Sequence, residues 1–186
     1  MNVKKSSLEP LIEINTQIKS DFSTAFSGLT SQQLNWKPSP TAWSIAQCVE
    51  HLIKTDSLNF PGLEASMEDN YQPKFLEKIP GLTNVCAKLF FWGLTTSRKI
   101  KAPAMFVPSS SDVPASVIRD FLVHQNQMQL MMQRSISLKA ENRTFTDPYS
   151  PVIVFKLLDT FRISTLHAQR HFQQALNVKH NPNFPS

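Results

Sequence analysis

A chain of 186 residues, 41% hydrophobic and 18% charged, is long enough to bury a core of its own. Its four glycines are too few for a turn-rich β-sandwich, and neither GxGxxG nor GxxxxGKS/T occurs, which excludes glycine-rich phosphate cradles. The net charge of +5 comes from scattered Lys and Arg, with Lys4-Lys5 the longest run, so a solvated basic surface is expected and no nucleic-acid partner.

From the N-terminus, Leu8, Leu11, Ile18, Phe22, Phe26 and Leu29 fall on one helical face, and Gly28 marks the end of that first helix. SQQLNWKPSPTAW follows as a connection, in which Thr30 and Gln33 have capping-box spacing around one short turn. Ser44-Ile45-Ala46-Gln47 has the same spacing, and Ile45, Cys48, Val49, Leu52 and Ile53 follow it at helical intervals. These predict a second helix over 41–58, ended by Pro61 and Gly62.

Residues 59–112 carry Pro61, Pro73, Pro80, Pro103 and Pro108, which interrupt long elements. Leu82, Val85, Leu89 and Trp92 predict a helix between 81 and 99, and 102–111 reads as an extended loop. Pro114 sits early in a third long helix, with Val117, Phe121, Met128 and Met131 on its apolar face as far as Leu138. After the polar stretch AENRTFTDPYSP, Pro151 opens a fourth long helix reaching Val178, with Leu157, Leu158, Phe161, Ala168, Phe172 and Ala175 on its core face. HNPNFPS is a terminal tail. No alternating strand stands out, because the β-prone Val152-Ile153-Val154-Phe155 runs straight into the helical pattern. The pattern predicts an all-α chain: one four-helix-bundle domain over 1–186, with a long irregular connection between its second and third helices.

Two cysteines, Cys48 and Cys86, are too few for a disulfide framework or a cysteine-based zinc site. Reduced thiols and a cytoplasmic location are the expectation. MNVKKSSLEP has no apolar stretch behind its lysines, so no signal peptide is read. The apolar run Leu89-Phe90-Phe91-Trp92-Gly93-Leu94 is far too short to span a bilayer.

The five histidines are His51, His124, His167, His171 and His180. His167 and His171 form H-x-x-x-H, and a four-residue step turns only about 40° around a helix, so both rings leave one face. Thr160, Ser164, His167, His171 and Gln174 form a polar stripe beside the apolar face of the fourth helix. Ser44, Cys48, His51 and Thr55 do the same on the second. A polar stripe at the edge of a buried face is costly unless its groups are paired or bind something. Bundles build metal sites from such inward-facing residues on facing helices, so His51 with His167 and His171 would make a three-histidine site. The bland alternatives are a hydrogen-bonded boundary histidine at 51 and an H-x-x-x-H pair without metal. HAQRH also resembles HExxH, but Ala168 replaces the glutamate that a zinc protease needs.

LNWKPSPTAWSIAQCVEHL resembles the second-helix signature of the DinB-like (YfiT-type) superfamily, in Trp36, Pro38, Trp43, Ser44, Ile45, His51 and Leu52. DTFRISTLHAQRHFQQA resembles that family's final helix in His167, Arg170, His171 and Gln174, and PNFP resembles its tail. Ala168 stands where the family often has Glu, and Asp147-Pro148 where it often has His-Pro. The resemblance covers the whole domain. It implies a four-helix bundle with a divalent metal on His51, His167 and His171, with zinc, nickel or iron as candidates. It also implies thiol S-transfer from a low-molecular-weight thiol, or thiol-dependent isomerisation, as activities seen among its members.

Three imidazoles leave a coordination position open, the pattern of a catalytic site. An open position can lower the pKa of bound water to about 7 or bind a thiolate. S-transfer to a small-molecule acceptor and hydrolysis both fit. The reading from another class is a non-enzymatic bundle that binds a ligand or forms a homodimer through Phe90-Phe91-Trp92, with a vestigial metal site. His124, Cys48, Thr55, Ser164 and Gln174 are candidates to touch substrate or support the ligands. His124 has three readings: a fourth ligand, a substrate-pocket residue or a buried structural histidine. Cys48 has two, a ligand or redox role and packing. Trp36 and Trp43 are expected to pack the lead-in to the second helix. No acidic residue stands out as a general base: Glu50 points away from His51, and Asp159 lies on a flank two turns ahead of His167.

Overall fold

The computed structural model describes residues 2–96, 103–109 and 112–186. Its helices are α1 (Leu8–Phe26), α2 (Ser31–Asn35), α3 (Ile45–Ser66), α4 (Leu82–Thr95), α5 (Val117–Ser137) and α6 (Leu157–Lys179), with strands β1 (Thr144–Thr146) and β2 (Val154–Lys156) ahead of α6. Helix α1 packs on α5 and α6, and α3 packs on the same two, which makes these four the bundle. Helix α4 lies outside it, against α6 and β2. The fold is mostly helical, as the hydrophobic periodicity predicts, and among the described residues no helix is long and apolar enough to cross a membrane.

The second helix departs from its predicted span at both ends. Ser44 Oγ accepts the Gln47 N–H at 3.1 Å and Gln47 Oε1 accepts the Ser44 N–H at 3.1 Å, so the capping box starts the helix at Ile45 rather than at 41. Neither Pro61 nor Gly62 ends it. An internal proline costs about 3 kcal/mol, but the extra turns bury Leu63 and Met67 fully, and each large apolar side chain so buried returns roughly 1.5–3 kcal/mol. Gly62 serves packing instead: a Cβ there would stand 3.0 Å from Cδ2 of Phe145.

Three further expectations are corrected. Pro114 lies outside the third helix, and its carbonyl accepts the Val117 N–H at 3.0 Å in the turn that leads in. Pro151 does not open the fourth helix, which begins at Leu157. Before it, β2 pairs antiparallel with β1, with Phe145 opposite Phe155. Phe145 and Phe155 share one face of this ribbon, and both they and Val154 are buried. Within 102–111 there is a 3-10 turn, Ala104–Phe106, while 102, 110 and 111 lie outside the described residues, as do 97–99 of the predicted helix that is observed as α4. The terminal tail is anchored: Phe184 packs edge-on to Trp36 at 5.6 Å, and Pro185 O accepts from Gln33 Nε2 at 3.2 Å.

The core has two apolar clusters. One gathers Phe22, Phe26, Leu34, Ile45, Leu52, Phe121 and Ala175, the other Leu11, Leu63, Met67, Met128, Phe145 and Phe161. Between them along the helices sit buried polar residues: Asn15 on α1, Asp56 on α3, His124 and Gln125 on α5, and Ser164 and Thr165 on α6. Outside the bundle, α4 exposes Val85, Leu89, Phe90 and Trp92, two of them from the run expected as a self-association patch, and Phe90 also packs edge-on to Phe155 at 5.0 Å.

Candidate metal centre

His51 comes from the second turn of α3, and His167 and His171 from consecutive turns of α6. Packing of α3 on α6 brings the three rings together, with centroid separations of 4.9 Å (51–167), 4.7 Å (51–171) and 4.6 Å (167–171). Each offers one ring nitrogen, and these atoms all lie within 4.8 Å of one another. His51 and His171 are buried and His167 is half-buried. Trp43, just before the α3 cap, stacks on His171 at 5.7 Å and lies 4.9 Å from His51. It is thus a wall of the centre as well as part of the lead-in to α3.

The protonation pattern suits a cation. His51 Nδ1 donates to the Phe106 carbonyl at 2.7 Å, so in the neutral ring Nε2 keeps its lone pair. That lone pair faces His167 Nε2 at 3.1 Å. Two nitrogens bound to one zinc-like ion at 2.0–2.1 Å in tetrahedral geometry lie about 3.3–3.4 Å apart, so the gap nearly has the size of a shared ion. His171 Nδ1 is buried and finds no hydrogen-bond partner among the described residues, a cost that coordination or one further bond would remove. These donors fit a divalent metal.

Electrostatics keep the rings neutral. Burial lowers the pKa of His51, against the weaker upward pull of the Phe106 carbonyl and the Asp56 charge. Burial, the two neighbouring imidazoles and the Arg170 guanidinium hold His167 well below its ordinary value. Burial, His51 and Arg170 bring His171 to about 3, with Gln174 opposing. Arg170 also bonds the carbonyls of Leu94 and Thr96 at 2.9 and 2.8 Å, which ties the end of α4 to the helix that carries two of the histidines.

A profile described as the DinB superfamily matches residues 16–175. The chain belongs to the DinB superfamily. No curated protein and no solved structure matches it. The match spans both signatures, since Trp36, Trp43 and His51 lie near its start and His167 and His171 near its end. Metal binding of a DinB-type protein is compatible with the histidine cluster.

The other candidates fall in different places. Ser164 Oγ donates to Asp56 Oδ2 at 2.8 Å. Thr55 Oγ1 turns back to the carbonyls of His51 and Leu52 at 3.0 and 3.1 Å. Gln174 acts on His171. Cys48 is fully buried in the apolar cluster, and burial pushes its thiol up to about 12. His124 stands apart from the triad: its ring stacks on Phe60 at 4.7 Å, and Nε2 lies 3.7 Å from Asp56 Oδ2. His180 is exposed, and Asp159 pairs with Arg162 at 3.0 Å.

Sequence reasoning missed three contributors. Asp56 is a buried carboxylate whose charge reaches His51. Its signal was readable, because 45, 49, 52 and 56 form one inward seam of α3. The Phe106 carbonyl had no signal, since any residue offers that atom. Glu50 does point away from His51, but it holds Ser109: Oε2 accepts the Ser109 N–H at 2.7 Å and Oε1 the Ser109 hydroxyl at 2.6 Å. Burial would raise the Glu50 pKa, but those two bonds and Lys54 lower it on balance.

Proposed function

We propose that His51, His167 and His171 hold one divalent metal ion and that the chain, acting as a single cytoplasmic domain, is a metal-dependent S-transferase for a low-molecular-weight thiol. The observation that carries this is the convergence of three neutral ring nitrogens, one with its lone pair aimed by a carbonyl behind it. Bound there, a divalent cation supplies Lewis acidity, lowering the pKa of a thiol or water at its open position. The chain's own part is to hold the donors deprotonated by burial, to place Trp43 as a flat apolar wall beside them, and to hold the Phe106 carbonyl behind His51. In the transfer, the thiol sulfur bonds to an electrophilic carbon of the acceptor as the bond to the leaving group breaks. The leaving group takes that electron pair, and the thiol proton goes to solvent.

The open position beside three imidazoles supports a second reading, hydrolysis, in which a water of lowered pKa takes the place of the thiol. Elemental analysis of untagged protein, followed by conjugation assays with several thiols and electrophiles, separates the two. Metal-dependent conjugation supports the transferase. Metal at one equivalent with no conjugation and metal-dependent ester or amide cleavage moves the reading to the hydrolase. Absence of bound metal after incubation with zinc, nickel or iron(II) overturns both.

A further inference from the structure

His51 owes its tautomer to a backbone atom on a separate segment, so whatever holds that segment also controls the ring. The segment is 103–109, which crosses α3 beside His51. Ser109 fastens it to α3. Every polar group of Ser109 is bonded to α3: its N–H and hydroxyl to Glu50, at 2.7 and 2.6 Å, and its carbonyl to Gln47 Nε2 at 2.6 Å, with Lys54 Nζ 3.5 Å from the hydroxyl. Gln47, Glu50, His51 and Lys54 lie at helical intervals on one face of α3, so a single stretch of that face grips both Ser109 and the Phe106 carbonyl.

The link between the two gripped points is short and stiff. Only Val107 and Pro108 intervene. Proline fixes its own φ and confines the residue before it to extended backbone, and Val107 is extended at φ −63° and ψ 131°. Pro108 is buried. A shift of Ser109 is therefore passed to Phe106 rather than absorbed.

We propose that Glu50 is a positioning residue: through Ser109 it holds the Phe106 carbonyl against His51 Nδ1, and so fixes the proton on Nδ1 and aims Nε2 at the other two histidines. The consequence for metal affinity rests on the metal reading above; the tautomer does not. A solvated histidine side chain favours its proton on Nε2, so loss of the carbonyl has a spectroscopic signature.

The test is a set of long-range 1H–15N spectra of the histidine rings in metal-free protein, together with zinc affinity by chelator competition. The parent should show His51 as the Nδ1–H tautomer. Glu50→Ala should shift it toward Nε2–H and weaken zinc about ten-fold, the lower end of what loss of an outer partner costs. Glu50→Gln, which keeps one acceptor oxygen for Ser109, should lie between. Lys54→Ala, which removes the 3.5 Å contact to the Ser109 hydroxyl and the ion pair with Glu50 but leaves both Glu50–Ser109 bonds, should move both readouts less than Glu50→Ala. An unchanged His51 pattern in Glu50→Ala overturns the proposal, and so does a Lys54→Ala shift as large as that of Glu50→Ala. If the parent binds no zinc, the metal reading fails, and the His51 tautomer alone decides the role of Glu50.

Discussion

The bundle buries polar side chains in two places, and they are built on opposite principles. In the layer between the apolar clusters, unlike groups meet one to one: Ser164 donates to Asp56 at 2.8 Å, Asn15 Nδ2 to the Gln125 main-chain carbonyl at 2.9 Å, and Thr165 to the Phe161 carbonyl at 2.8 Å. At the triad, three nitrogens of the same kind converge on one point, which pairing among themselves cannot satisfy. Burial of polar groups is therefore no mark of function by itself. Convergence of like donors is the mark, because it is expensive unless a cation completes it. His124 and Gln125 belong to the paired layer by position, although Nε2 of each lacks a hydrogen bond among the described residues.

The largest expected effect tests the triad side. His51→Ala or His167→Ala should lower zinc affinity by more than about 100-fold, since loss of outer partners alone costs about 10–100-fold. Calorimetric titration measures it, and retention of parental affinity by either variant would end the distinction drawn here. The matching change in the paired layer is Asp56→Ala, which strands the Ser164 hydroxyl. It should cost about 1–3 kcal/mol in urea unfolding of the metal-free protein, while Asp56→Asn keeps an acceptor and costs less.

The two regions also differ in their response to acid. Unfolded histidines titrate near 6.5, whereas the triad rings are held lower, His171 at about 3. Between those values the unfolded chain binds protons that the folded chain refuses. Stability of the metal-free protein should therefore be full above pH 6.5 and fall as pH drops toward 3. The slope should be up to about 1.4 kcal/mol per pH unit for each ring kept neutral. Denaturation at stepped pH should show a shallower slope for a His167→Ala/His171→Ala double variant. The smallest effect concerns Cys48, one turn before His51 but part of the apolar core. With its thiol at about 12, it should resist iodoacetamide at pH 8 in folded protein, as read by mass spectrometry, and Cys48→Ala should leave zinc affinity unchanged.

Periodicity made the four bundle helices legible, and side-chain chemistry made both capping boxes legible, because each depends on residues within a few positions of one another. The H-x-x-x-H pair was readable for the same reason. Where reading failed, a distant partner had decided the outcome. Proline at 61 locally favours an end to α3, but Leu63 and Met67 gain more from the core than the lost hydrogen bond costs. The three-residue strands carry too short a pattern to detect, and they exist because Phe145 and Phe155 face each other across the ribbon.

The sequence by itself determined the helices, their caps, the face on which His167 and His171 stand, and the DinB signatures at both ends of the chain. All of these are local in the chain or carried by short motifs. Only the tertiary structure decided that His51 reaches the pair on α6, that its proton sits on Nδ1, that Trp43 walls the centre, and that Glu50 acts through Ser109. Those facts depend on atoms brought together across long stretches of chain, 55 residues for His51 and Phe106 and 116 for His51 and His167, and one of them, the Phe106 carbonyl, belongs to the backbone that every residue shares.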